Sequence, residues 1–167
     1  INEVGGDDKM DTVSARNGSS EFPKRNTDEA LRRRLQEAEA KLSAVSKTQA
    51  VIEFELDGTI ITANPGFCAA LGYDLEEIRG KHHRMFVDTA QAMGPAYAQF
   101  WRDLNDGKPQ NDVFKRITKA GQEIWIQAVY APVKDEMGCV FKVVKIATDV
   151  TASVNAANML KQAVEQA

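Results

Sequence analysis

From Glu123 to Tyr130 the chain alternates strictly, with Ile124, Ile126, Ala128 and Tyr130 in one phase and Glu123, Trp125, Gln127 and Val129 in the other. Period two over eight residues belongs to a β-strand with one face on a core. Lys119-Ala120-Gly121-Gln122 joins this strand to one over Val113–Thr118. Asp135-Glu136-Met137-Gly138 leads on to a strand over Cys139–Thr148. Upstream, Val51–Leu56, the turn Asp57-Gly58 and Ile60–Ala63 read as a hairpin.

Between hairpin and strands the pattern turns helical. Asn64-Pro65-Gly66 interrupts the strand, and a short apolar helix over Phe67–Leu71 stops at Gly72. Asp74 caps a second short helix, with Glu77 at the capping-box position and Gly80 at its end. Met93, Tyr97, Phe100, Trp101 and Leu104 share one face of a longer helix that ends by Gly107. This order gives an α+β domain, a five-stranded antiparallel sheet with short helices on one face.

The flanks differ in kind. Residues 1–25 are rich in Gly, Ser, Asp and Asn and lack paired apolar residues, so a disordered lead is expected. Gly5-Gly6-Asp7-Asp8 faintly resembles a diguanylate cyclase signature and is expected to be a chance match. Asn17-Gly18-Ser19 is a glycosylation sequon only in a secreted protein. A helix over 26–48 is expected to start at Asn26, with Glu29 completing a capping box. Its seam is Leu31, Leu35, Ala38, Leu42 and Val45, spaced as heptads and suited to dimerisation or to packing on its own domain. After the domain at 49–149, a helix over 150–167 repeats the spacing with Val150, Ser153, Ala157, Leu160, Val164 and Ala167.

Composition narrows the function. An apolar fraction of 43%, a charged fraction of 27% and a net charge of -3 describe an ordinary globular domain with no basic face for nucleic acid. No run approaches the roughly 18 apolar residues that span a bilayer, and no signal peptide is visible, so a cytoplasmic segment is expected. The chain begins at Ile1 and not at Met, as in a piece of a longer protein. Cys68 and Cys139 form no C-x-x-C and are expected as buried free thiols. No dinucleotide, P-loop, nucleophile-elbow or zinc-hydrolase motif occurs, and Glu53 and Glu55 fall on the solvated side of a strand, so no enzyme activity is expected.

From about Ala50 to Thr151 the sequence resembles the PAS family. The carriers are Asp57-Gly58, Ile61, Ala63-Asn64, Phe67, Leu71-Gly72-Tyr73, Glu76-Glu77-Ile78 and Gly80. The distal half adds Lys115-Arg116, Gly121, Trp125, Pro132, Asp135 and Gly138, and Asp149-Val150-Thr151 is similar to the family's junction with its outgoing signalling helix. Within the family, Gly80 to Phe86, Phe100-Trp101 and Glu123-Ile124-Trp125 most resemble the PAS domains of chemotaxis, aerotaxis and biofilm-dispersal receptors. The resemblance implies a sensory module that reads oxygen, redox state or a small ligand. It also implies a homodimer through the flanking helices and a downstream signalling domain outside this chain.

The resemblance further implies a pocket between sheet and short helices, with three possible occupancies. Haem b would take His83 as axial ligand, with His82 behind it, although many haem sensors of the family place the ligand on the longer helix, where Tyr97 and Trp101 stand here. FAD would meet Val87-Asp88 where aerotaxis receptors carry a basic pair, with Arg84 as compensation. A flavin–cysteine adduct is disfavoured, because His83 takes the place of the reactive cysteine. Without a cofactor, Phe67, Phe86, Phe100, Trp101, Phe114 and Trp125 have the bulk to fill the pocket, leaving a protein-interaction module. In each case Asp149, Val150 and Thr151 are the expected relay.

Overall fold

The computed structural model describes residues 24–167. The expected disordered lead, the Gly-Gly-Asp-Asp match and the sequon lie outside the described residues, as do the side chains of Asn26 and Val45. Helix α1 runs Lys24–Thr48, so Asn26 sits inside its first turn and not at its cap. The described side chains of α1 are exposed, Leu31, Leu35 and Leu42 among them.

The hairpin forms as β1 (Ala50–Phe54) and β2 (Ile60–Ala63). Helix α2 (Pro65–Leu71) follows directly, because Asn64 accepts the Phe67 N–H at 2.8 Å and Pro65 occupies a first-turn position that needs no donor. Helix α3 (Leu75–Ile78) carries the expected capping box of Asp74 and Glu77, and Arg79 rather than Gly80 caps its end. A 3-10 turn (His83–Phe86) and the single-turn α4 (Thr89–Ala92) precede α5 (Pro95–Asn105). Gly94 opens α5, which leaves Met93 outside it and 83% exposed, contrary to its expected place on one helical face with Tyr97 and Trp101.

Strands β3 (Gln110–Ile117), β4 (Glu123–Lys134) and β5 (Val140–Asp149) complete an antiparallel sheet of order β2-β1-β5-β4-β3. The phase of alternation decides what is buried. Ile124, Ile126, Ala128 and Tyr130 on β4, Ile52 and Phe54 on β1, and Val143 and Ala147 on β5 face a core completed by Phe67, Leu71, Ile78, Phe86, Trp101 and Leu104. Each large apolar side chain buried there contributes about 1.5–3 kcal/mol. Cys68 is half-buried and Cys139 exposed, because Cys139 ends a surface turn rather than joining the core. Helix α6 (Thr151–Glu165) leaves the sheet directly from β5, with Met159, Leu160 and Val164 exposed.

Candidate functional site

The β1–β2 turn positions the histidine pair. Gly58 has φ 92°, and a Cβ there would lie 2.7 Å from His82 Nε2 and 3.0 Å from Trp101 Cε2, so only glycine lets the turn pack this closely. The Gly58 carbonyl accepts the His83 N–H at 2.9 Å, and Thr59 bridges to His82. These bonds turn the two rings to opposite sides of the chain. His82 Nδ1 accepts from Arg84 N at 3.0 Å and Arg84 Nε at 3.1 Å, so its Nε2–H donates to the Asp57 carbonyl at 2.6 Å. His83 instead enters the core and is fully buried.

Inside the core His83 is the middle of a polar chain. Its Nδ1 lies 2.9 Å from Tyr97 Oη, and its Nε2 lies 2.9 Å from Tyr130 Oη. Arg116 Nη2 donates to the same Tyr130 oxygen at 3.1 Å. A guanidinium only donates, so the tyrosine accepts from Arg116 and turns its own proton to His83 Nε2. A neutral His83 then carries its proton on Nδ1 and donates it to Tyr97. Protonating Nε2 would leave the Tyr130 proton without an acceptor among the described residues. Burial, with Lys145 and Arg116 nearby, holds the His83 pKa well below its ordinary value, and burial pushes Tyr97 and Tyr130 up.

Arg116 and Lys145 stand at inward positions of β3 and β5, at 3% and 1% exposure. Arg116 Nη1 donates to the Lys115 carbonyl at 2.8 Å, its Cζ lies 4.8 Å from the Phe114 ring, and its Nε has no hydrogen-bond partner. Lys145 Nζ lies 4.8 Å from the centre of the Tyr130 ring and 5.7 Å from that of Phe67. Burial first, and Arg116 second, hold the Lys145 pKa well below its ordinary value. Among the described residues the buried polar side chains are all basic, and no carboxylate ion-pairs with Arg116 or Lys145.

At the other end of β4 lies the junction with α6. The Thr151 hydroxyl accepts the Trp125 N–H at 2.9 Å and donates to Asp149 Oδ1 at 2.6 Å. Asp149 Oδ1 also accepts the Thr151 N–H at 2.9 Å, and the Val150 N–H donates to the Trp125 carbonyl at 2.8 Å. The start of α6 is thereby bonded to the strand that carries Tyr130.

A family model described as the PAS fold matches residues 60–147. The chain belongs to the PAS family. It is 43% identical over 115 residues to the biofilm dispersion protein BdlA of Pseudomonas aeruginosa, covering 69% of this chain and 28% of that protein. It is 32% identical over 82 residues to the aerotaxis receptor of Escherichia coli, covering 49% of this chain and 16% of that one. Among solved structures, the PAS domain of a Colwellia psychrerythraea protein superposes with a TM-score of 0.60 at 20% identity, over 69% of this chain and 98% of that one. A light-oxygen-voltage domain superposes with a TM-score of 0.57 at 22% identity, over 75% and 96%.

In this PAS domain His83, Tyr97 and Trp101 come together, whereas His82 is half-buried beside Trp101 and Arg84 is exposed and turned toward His82. The surroundings of His83 do not fit haem in this arrangement. Both ring nitrogens are engaged, and Phe54, Phe86, Phe100, Trp101 and Tyr130 surround the ring with centroids 5.3 to 6.3 Å away. Trp101 Nε1 is buried without a well-formed hydrogen bond, its approach to the Tyr97 hydroxyl falling short of good geometry. Among the described residues no group of three His, Cys, Asp or Glu side chains could hold a metal ion, and no helix is long and apolar enough to cross a membrane.

Sequence reasoning missed Arg116, Tyr130 and Lys145 as site residues. The signal was present in the alternation, since Lys145 falls between Val143 and Ala147 in the inward phase of β5 and Arg116 shares the phase of Phe114. A cation in the apolar phase of a strand identifies a buried charge.

Proposed function

We propose that this chain is the sensory input module of a chemoreceptor-like protein, reading a colourless small ligand at the His83–Tyr130–Arg116 cluster and signalling through Asp149, Val150 and Thr151 to α6. The single observation that carries the reading is that β4 holds Tyr130 in the cluster and Trp125 at the helix junction. A ligand that moves Tyr130 has one strand through which to bias α6. Two states of strand and helix must differ in ligand affinity for this to work. The PAS relatives with receptor and biofilm-dispersion names support a sensory role.

The module works as a homodimer. The exposed apolar stripes of α1 (Leu31, Leu35, Leu42) and of α6 (Met159, Leu160, Val164) support pairing with a second copy. The output domain lies outside this chain.

The test is a fusion of the chain to a reporter output. Asp149→Ala removes two hydrogen bonds of Thr151 and leaves the buried cluster intact, so it abolishes the response while cluster ligand affinity stays within about twofold. Equal loss of affinity and response contradicts the relay. An absorption spectrum of the purified protein with a Soret band that disappears in His83→Ala, or with flavin bands, would overturn the colourless-ligand reading.

A further inference from the structure

Among the described residues the core holds one permanent cation without a counter-charge. Arg116 stays protonated in proteins, is 3% exposed, and has only a carbonyl, a phenol and an aromatic ring as partners. A buried charge left unpaired is costly, and replacing it by an apolar side chain of similar volume is often neutral or stabilising. Its Nε hydrogen is both buried and unbonded. Lys145 approaches the same tyrosine from the ring face, and His83 meets its hydroxyl. Three basic side chains from β3, β5 and the 3-10 turn thus converge on Tyr130.

We infer that this cluster is the binding site of a small organic carboxylate held by the Arg116 guanidinium and seated beside Lys145. The inference rests on the reading of the cluster as the sensory site and adds the class of the ligand. A planar guanidinium with a free Nε hydrogen matches the two oxygens of a carboxylate, which it can hold bidentately. The rings of Phe67, Phe86, Phe100 and Trp101 pack the core around the cluster, so only a small ligand can enter, by displacing side chains there. An anion beside Lys145 favours its charged form, so binding takes up protons at a pH where the free site leaves Lys145 neutral; Arg116, His83, Tyr97 and Tyr130 are the other ionisable groups around it, with His82 nearby.

The full chain is titrated with acetate and with succinate at constant ionic strength, with chloride and inorganic phosphate as controls. Melting temperature, heat in buffers of different ionisation enthalpy, and amide exchange of α6 are followed together. The expected result is a saturable rise in melting temperature with a carboxylate, proton uptake on binding, and altered exchange in α6. Arg116→Met is expected to melt at or above the wild-type temperature and to bind about tenfold to a hundredfold more weakly, as for loss of a charge-assisted hydrogen bond. Lys145→Met binds without the proton uptake. No shift with either carboxylate, an equal shift with phosphate or chloride, or full affinity in a folded Arg116→Met each overturns the carboxylate assignment. Binding that leaves α6 unchanged overturns the relay and keeps the ligand; absent binding with α6 still responding to Tyr130→Phe overturns the ligand and keeps the relay.

Discussion

Replacing Tyr130 by Phe removes one oxygen and breaks two bonds. The hydroxyl is fully buried, 2.9 Å from His83 Nε2 and 3.1 Å from Arg116 Nη2, and both partners are buried as well. An unsatisfied neutral acceptor costs about 1–3 kcal/mol and a bond to a charged donor contributes about 1.5–3 kcal/mol, so the expected loss is about 3–5 kcal/mol. Against a total stability of about 5–15 kcal/mol, this lowers the melting temperature by at least about 12 °C for a domain of this size. Urea unfolding followed by tryptophan fluorescence gives the value, with an unchanged denaturant slope as the sign of an intact denatured state. The cycle with Arg116→Met isolates the cause. Without the guanidinium, Tyr130→Phe leaves only His83 unpaired, so the two changes couple by about 1–2 kcal/mol. A loss below about 1 kcal/mol, or strict additivity, would refute the buried-charge argument.

Stability is expected to rise with pH up to about 6.5 through His83 and up to about 10 through Lys145. Both groups have depressed pKa values in the fold, so just below its ordinary value each binds more protons in the unfolded chain and contributes up to about 1.4 kcal/mol per pH unit. Tyr97 and Tyr130, shifted up, reverse the trend above about pH 10, and Lys145→Met flattens the alkaline half of the rise in a melting series. Gly58→Ala is expected to cost at least about 1–2 kcal/mol from the left-handed backbone alone. Its Cβ also displaces His82 and Trp101, visible as altered near-ultraviolet dichroism; an unchanged spectrum contradicts the close approach. Light scattering of the full chain should give a dimer that Leu35→Glu with Leu160→Glu converts to monomer, and a wild-type monomer at high micromolar concentration sinks the dimer proposal.

The elements that alternate or carry caps were legible from sequence. The hairpin around Asp57-Gly58, the Asn64 start of α2, the Asp74–Glu77 box and the buried phase of β4 follow from local rules, and the structure forms them. Boundaries without a strong local signal moved: α1 starts at Lys24, and Gly94 excludes Met93 from α5. The family motif drew attention to His82, His83 and Arg84 as neighbours in sequence, yet the Gly58 turn sends His83 inward and leaves Arg84 outside. Arg116, Tyr130 and Lys145 lie on three strands, and only strand pairing brings them to one point. No spacing rule along one segment reports that meeting.

The central claim is that Tyr130 and the start of α6 move together along β4. Tyr130 and Trp125 are five residues apart on the strand, roughly 17 Å at 3.3 Å per residue, beyond direct ring-current influence. Amide spectra of isotope-labelled wild type and Tyr130→Phe, with Tyr97→Phe as the milder change, measure the coupling residue by residue. The account predicts shifts that run from residue 130 through Trp125 to Val150 and Thr151 while the β2 edge stays unchanged. Shifts confined to the neighbours of residue 130, with Trp125, Val150 and Thr151 unmoved, would contradict it.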